Sequence, residues 1–268
     1  MLFAIPFPTI DPIIFELGPL SIRWYALAYL LGIFVGWRVM RYMNQISPIV
    51  EDNETIDDFL VWVTLGILLG GRVGYVLFYN LNYYIQNPLN IFAIWHGGMS
   101  FHGGFAGVTI SSIAFCKKRR VNILNFGDAV CVVAPIGLFF GRIANFINGE
   151  LFGRPSSVPW AVIFPNGGNI PRHPSQLYEA IFEGALLFFL LWFLFNYYNP
   201  RKRPGVLTGV FLLSYGIIRG VIEFFREPDF HIGYLGFGIF TMGQLLSLPM
   251  ILVGAILIFN VMRKESLN

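Results

Sequence analysis

Residues 124–153 read LNFGDAVCVVAPIGLFFGRIANFINGELFG. From 124 to 147 the run is apolar and long enough to cross a hydrocarbon layer of about 30 Å as a helix. At its end stand Arg142 and Asn145, with Glu150 just beyond. An arginine at mid-bilayer costs about 2.5–3.5 kcal/mol even on the lenient insertion scale, so an ionisable group in such a run is a functional candidate. The bland alternatives are that Arg142 snorkels to the interface or only ties helices together.

Outward from this run, six more apolar stretches of similar length appear, at about 21–43, 56–79, 94–115, 175–197, 205–225 and 239–262. Glycines crowd the one at 94–115, and Pro135 interrupts the one at 124–147. The stretches are continuous rather than alternating, which favours helices over a barrel. Of the 268 residues, 56% are hydrophobic and 12% charged. Soluble domains carry about 25% charged residues, so this chain is expected to be an integral membrane protein. The expected fold is all-α and polytopic, with about seven transmembrane helices in one domain spanning 1–268.

Basic residues set the orientation. They cluster after the first, third, fifth and seventh stretches, as Arg38 and Arg41; Lys117 to Arg120; Arg201, Lys202 and Arg203; and Arg263 and Lys264. The other side holds Arg23, Arg154, Arg172 and Arg226. The positive-inside rule then puts the N-terminus outside and the C-terminus in the cytoplasm. Residues 1–20 lack a basic leader and contain Pro6, Pro8, Asp11, Pro12 and Pro19, so an external arm at the interface is expected rather than a cleaved signal. Residues 148–174, rich in Gly, Pro and Asn, are expected to form a small external cap. The net charge of +3 lies mostly in cytoplasmic loops and suits lipid headgroups rather than nucleic acid. Cys116 and Cys131 read as buried small hydrophobes.

With this topology, six spans send polar groups to the outer third of the membrane. They are Tyr25; Arg72 and Tyr75; His102; Arg142 and Asn145; Gln176 and Glu179; and Tyr215, Arg219 and Glu223. Arg142 and Asn145 share a helix face, and Tyr215, Arg219 and Glu223 recur every fourth residue as one stripe. An Arg219–Glu223 ion pair accounts for part of that stripe. Three arginines at matching depth are read as an excess of positive charge that calls for an anion, such as a phospholipid phosphate. Arg72 is open between a third headgroup contact and a partner for an acidic residue.

Residues 96–104, H-G-G-M-S-F-H-G-G, offer a proton-exchanging histidine amid glycines that permit close backbone approach to a ligand. His102 is the better base because it lies deeper than His96, and the pair lacks the spacing or third ligand of a metal site. At 171–179 Pro174 and Ser175 read as a helix start, with Glu179 in its first turns as either a cap or a functional group. His173 is expected at the surface.

The strings H-G-G-M-S-F-H-G-G, G-R-I-A-N-F-I-N-G-E-L-F-G-R (141–154), R-H-P-S-Q-L-Y-E (172–179) and Y-G-I-I-R-G-V-I-E-F-F-R-E-P-D (215–229) resemble the bacterial prolipoprotein diacylglyceryl transferase family. The resemblance covers nearly the whole chain. It implies transfer of an sn-1,2-diacylglyceryl group from phosphatidylglycerol to the lipobox cysteine of a prolipoprotein, giving a thioether and glycerol phosphate, at the outer leaflet of the bacterial cytoplasmic membrane. It also implies seven helices with the N-terminus outside, and no cofactor or metal. The positions matching the family's essential residues are Tyr25, His102, Arg142, Asn145, Glu150, Gly153, Tyr215, Arg219 and Glu223. On that basis Arg142 and Arg219 hold the phosphate and leaving group, Tyr25, Asn145 and Tyr215 orient ligands, and Glu150 or Glu223 positions a partner. His102 leads as base, with Glu223 the alternative. A transporter or channel is disfavoured, because the polar groups gather near one face instead of the midplane.

Overall fold

The computed structural model describes residues 4–8, 10–17, 20–93, 95, 97–197, 202–228, 234–235 and 240–266. Pro19, His96 and Arg201 lie outside the described residues. The chain divides into two compact units, one of residues 1–39 and 128–268 and one of residues 40–127. A helix occupies each apolar stretch: α1 (Trp24–Ile46), α2 (Asn53–Phe78), α4 (Phe101–Arg119), α5 (Ile123–Ile147), α6 (Ser175–Tyr197), α7 (Val206–Ile222) and α8 (Met242–Ser266). A short α3 (Leu81–Gln86) follows α2. Among the described residues, α2, α5, α6 and α8 are long and apolar enough to cross a membrane, and α7 is a shorter apolar helix.

In the 40–127 unit, α2 begins where the Asp52 carboxylate accepts from the Thr55 N–H at 2.7 Å, filling one of the unpaired donors of a helix start. That hydrogen bond holds the Asp52 carboxyl below its usual range. α2 and α4 then pack backbone to backbone. A Cβ on Gly70 would come within 2.7 Å of the Gly107 Cα, and one on Gly74 within 2.7 Å of the Gly103 Cα. In lipid, where no hydrophobic force drives helices together, such small-residue seams let dispersion do so. Gly103 and Gly107 thus serve helix packing, a role the reading of the glycines around His102 did not include. At the basic end, Phe59, Phe115 and Phe126 pack with ring centroids 4.8–5.4 Å apart. There the acidic stretch meets the basic residues: Asp58 pairs with Arg119, and Asp57 with Arg41 at 3.1 Å.

The third span was expected to be helical from 94, but α4 starts only at Phe101. Gly97 and Gly98 take φ near +80°, which glycine alone adopts without strain, and they hold 97–100 out of the helix. Ser100 then caps α4 by accepting from the Gly103 N–H at 3.2 Å. α5, in contrast, runs through Pro135 without a break.

In the other unit, the chain before α1 is a hairpin, β2 (Ile13–Leu17) against β3 (Leu20–Arg23). Before it, β1 (Ile5–Pro6) pairs in parallel with β4 (Val162–Ile163), which pairs with β5 (Pro171–Arg172). The N-terminal arm is therefore a strand of the small cap at 148–174, pinned by Phe7, Phe146 and Phe164 in mutual ring contact. These short strands are additions to a chain that is otherwise helical. α7 opens at Gly205 (φ +95°), which has no side chain to cap with. Asp128 of α5 does the work across the helices. It accepts from the Gly205 N–H at 2.8 Å and from the Thr208 N–H and hydroxyl at 2.7 Å each.

Candidate active site

Six ionisable side chains of the larger unit form one cluster, in which three arginines meet the Glu179 carboxylate. Glu179 and Glu183 lie four apart on α6 and are fully buried. Between them α6 widens into a π segment at Ala180–Leu186, a device common at functional sites. Gly184 in that segment lies so close to α5 that a methyl there would meet the Phe139 Cβ at 2.7 Å. This approach brings both carboxylates to Arg142, whose Nε is 3.3 Å from Glu179 Oε2 and Nη2 3.7 Å from Glu183 Oε2. From α7, Arg219 Nη1 hydrogen-bonds Glu179 Oε1 and stands 3.5 Å from Glu183 Oε1. Its Nη2 is 2.7 Å from Glu223 Oε2. Arg226 Nη1 donates to the same Glu179 oxygen at 3.1 Å.

Three arginines thus face three glutamates, which corrects the reading of an excess of positive charge. What distinguishes the arginines is access. The side chains of Arg142 and Arg219 keep 13% and 12% exposure, while Glu179 and Glu183 have none. Fully buried carboxylates thus hold two guanidiniums whose side chains retain a small exposure.

A second polar chain starts at Arg142, whose Nη1 donates to Asn145 Oδ1 at 3.4 Å. The Asn145 amide donates in turn to the Tyr25 hydroxyl and, at 2.9 Å, to Glu150 Oε1. Glu150 sits in a tight turn with Gly149 (φ +64°) and Leu151 (φ +57°), and its carbonyl accepts from Gln176 at 2.7 Å. Arg142, Asn145, Tyr25 and Glu150 are therefore one connected network. Gly153 has a different place. Its N–H donates to the His173 carbonyl, and an added Cβ would lie 2.7 Å from the His173 Cβ, so it is where the cap meets the chain beyond α7. Tyr215 is buried on α7 and stacks on Phe211. Glu223 ends α7 with its carboxylate between Arg219 and Gly243. His173, expected at the surface, is half-buried against Tyr178 and Phe225. Trp160 donates to the Tyr178 hydroxyl at 2.6 Å, which leaves that hydroxyl's proton for His173 Nδ1 at 3.0 Å. Burial holds the His173 imidazole below its usual pKa.

His102 and Arg72 belong to the 40–127 unit. His102 is the second residue of α4, exposed, with its ring edge-on to Phe101. Arg72 is buried, and its guanidinium bonds five backbone carbonyls: Ile91, Gly97, Gly98, Asn90 and Ala93, at 2.5–3.2 Å. Tyr84 covers it with its ring 5.1 Å away. A guanidinium has five N–H donors, and these five acceptors account for them. Neither alternative for Arg72 holds: among the described residues no carboxylate pairs with it, and the backbone takes its donors. Sequence reasoning missed Glu183 and the part Arg226 plays, and left Glu179 open between a cap and a functional group. The signal was present, since two acids four apart inside an apolar run violate the same cost that singled out Arg142.

Comparison with known proteins identifies the family. The family model described as prolipoprotein diacylglyceryl transferase matches residues 12–260. A phosphatidylglycerol–prolipoprotein diacylglyceryl transferase of Rhodospirillum rubrum is 56% identical over 98% of this chain and 96% of its own length. Its counterpart in Azospirillum brasilense is 55% identical over 99% of both chains. A match this long means that the chain belongs to the prolipoprotein diacylglyceryl transferase family, and arginines and glutamates from three of the quoted motifs gather in one cluster.

Proposed function

We propose that this chain moves the sn-1,2-diacylglyceryl group of phosphatidylglycerol onto the cysteine thiol of a prolipoprotein lipobox. The family's relatives carry that activity in their name. The observation in the molecule that supports it is the pair Arg142 and Arg219, drawn together from two helices onto the same buried carboxylates. Such a pair suits a phosphodiester, because each guanidinium can present two parallel donors to phosphate oxygens.

In the reaction a carbon–sulfur bond forms at the glycerol carbon and the carbon–oxygen bond to phosphate breaks. The thiol loses its proton, and glycerol phosphate leaves as an anion. A thiol of pKa about 8.5 is mostly protonated near neutrality, so a base helps. His102 takes that role. Arg142 and Arg219 stabilise the charge that grows on the departing phosphate. Asn145, held between Tyr25 and Glu150, fixes Arg142; Glu223 fixes Arg219; Tyr215 lines α7 beside it. Gly153 keeps the cap seated. Cofactor and metal have no part in this scheme. The full topology is seven spans in the bacterial cytoplasmic membrane, N-terminus outside and site toward the outer leaflet, so both membrane-held substrates enter laterally.

Purified protein, phosphatidylglycerol and a lipobox peptide should yield a diacylglyceryl adduct on the peptide cysteine by mass spectrometry. No adduct, with folded protein and both substrates bound, sinks the reading. Under the same conditions His102→Ala should be close to inactive. Near-normal turnover would move the base to Glu223 or to no protein group.

A further inference from the structure

Glu179 is the point at which the cluster is joined. One fully buried carboxylate meets Arg142 from α5, Arg219 from α7 and Arg226 from just beyond α7, while Glu183 stands farther from Arg142 and Arg219, at 3.7 and 3.5 Å. We infer that Glu179 is a positioning residue for the transfer proposed above, setting the spacing and aim of the Arg142 and Arg219 guanidiniums before lipid arrives; the inference rests on that reaction. Holding helices together does not by itself explain it. A buried ion pair is seldom more stable than apolar side chains of the same volume, so a carboxylate shared by three arginines is a costly fastener. The exposures point the same way. Glu179 has no surface of its own, while the side chains of the two arginines on it keep a small exposure. It therefore acts through the arginines without reaching lipid itself. Its two oxygens divide the task, with Oε2 toward Arg142 and Oε1 toward Arg219 and Arg226. One side chain thereby sets the relation between two guanidiniums on different helices.

The test is steady-state kinetics with phosphatidylglycerol and a lipobox peptide varied in turn, alongside thermal unfolding. Wild-type turnover must be seen first, since its absence would defeat the proposed reaction and say nothing against Glu179. Glu179→Gln should lower kcat at least 100-fold and raise KM for the lipid, with KM for the peptide within about twofold. Glu179→Asp, which keeps the charge but shortens its reach, should recover at least tenfold over Gln. A purely structural role would reduce the folded fraction and leave both KM values and the kcat of the folded molecules unchanged. That result, or Gln and Asp variants with equal kcat, overturns the inference. If the Gln variant does not fold, Glu179→Asp decides: kcat within twofold of wild type overturns it, and a tenfold fall with unchanged peptide KM supports it.

Discussion

Arg72 and Arg219 look alike in sequence, each a lone arginine among glycines and apolar residues, yet the two units use them oppositely. Arg72 is enclosed, and five carbonyls of residues 90–98 match its five donors. Arg219 is tied through Nη1 to Glu179 and through Nη2 to Glu223, and these two carboxylates do not use all five of its donors. The first arginine folds a loop, because charge-assisted bonds to backbone carbonyls let non-helical chain exist where water is scarce. The second is charge-balanced but not donor-saturated, so a phosphate can still find N–H groups. A membrane arginine is best judged by how many of its donors remain open, and burial alone does not tell the two kinds apart.

The largest expected effect that would break this contrast is on the open pair. Arg219→Lys keeps the charge but loses the planar fork. It should lower kcat on the order of 100-fold or more, the usual size of losing one well-aimed donor to a growing oxyanion. Arg142→Lys should behave alike. Either variant retaining a third of wild-type turnover would mean that the planar forks are not used.

Arg72→Lys should do the reverse. An ammonium has three donors, so at least two of the five carbonyls lose their partner, and buried acceptors left unpaired cost about 1–3 kcal/mol each. A clear fall in unfolding temperature is expected, with turnover per folded molecule reduced less than tenfold. Unchanged stability with a 100-fold loss of kcat would erase the distinction between the two arginines.

Much of the larger unit was legible beforehand, because the features that reveal it are local. Apolar length gave the helices, and the three- and four-residue spacings of Arg142 with Asn145 and of Arg219 with Glu223 gave pairs that do touch. The two failures are non-local. Nothing in the string at 72 says that its partners are carbonyls 18–26 residues away. The role of Glu179 depends on α5 and α7 being adjacent to α6, which periodicity does not reveal. Asp128 is a third case. Read alone it is an acid near the start of a span, and only the fold shows it capping α7 some 77–80 residues away. Asp128→Asn keeps the shape but replaces one charged acceptor by an amide donor facing N–H groups. Unfolding free energy should fall by about 0.5–2 kcal/mol, as for a lost helix cap, with turnover of the folded enzyme unchanged. No change in unfolding would mean that α7 is held at this end by packing alone.

The smallest effect lies in the cap, where His173 is kept neutral by burial rather than charged by a partner. Its folded pKa lies below the ordinary histidine value of about 6.5, so the unfolded chain binds more protons near and below that pH. The stability this contributes is complete above about pH 6.5 and is lost as pH falls toward and through the lower folded value. Unfolding temperature should therefore decline on acidification from pH 7 to 5, and His173→Gln, which cannot take up the proton, should show a shallower decline. Parallel curves would mean that Tyr178 and the exposed part of the ring accommodate the charged imidazole as well as the neutral one.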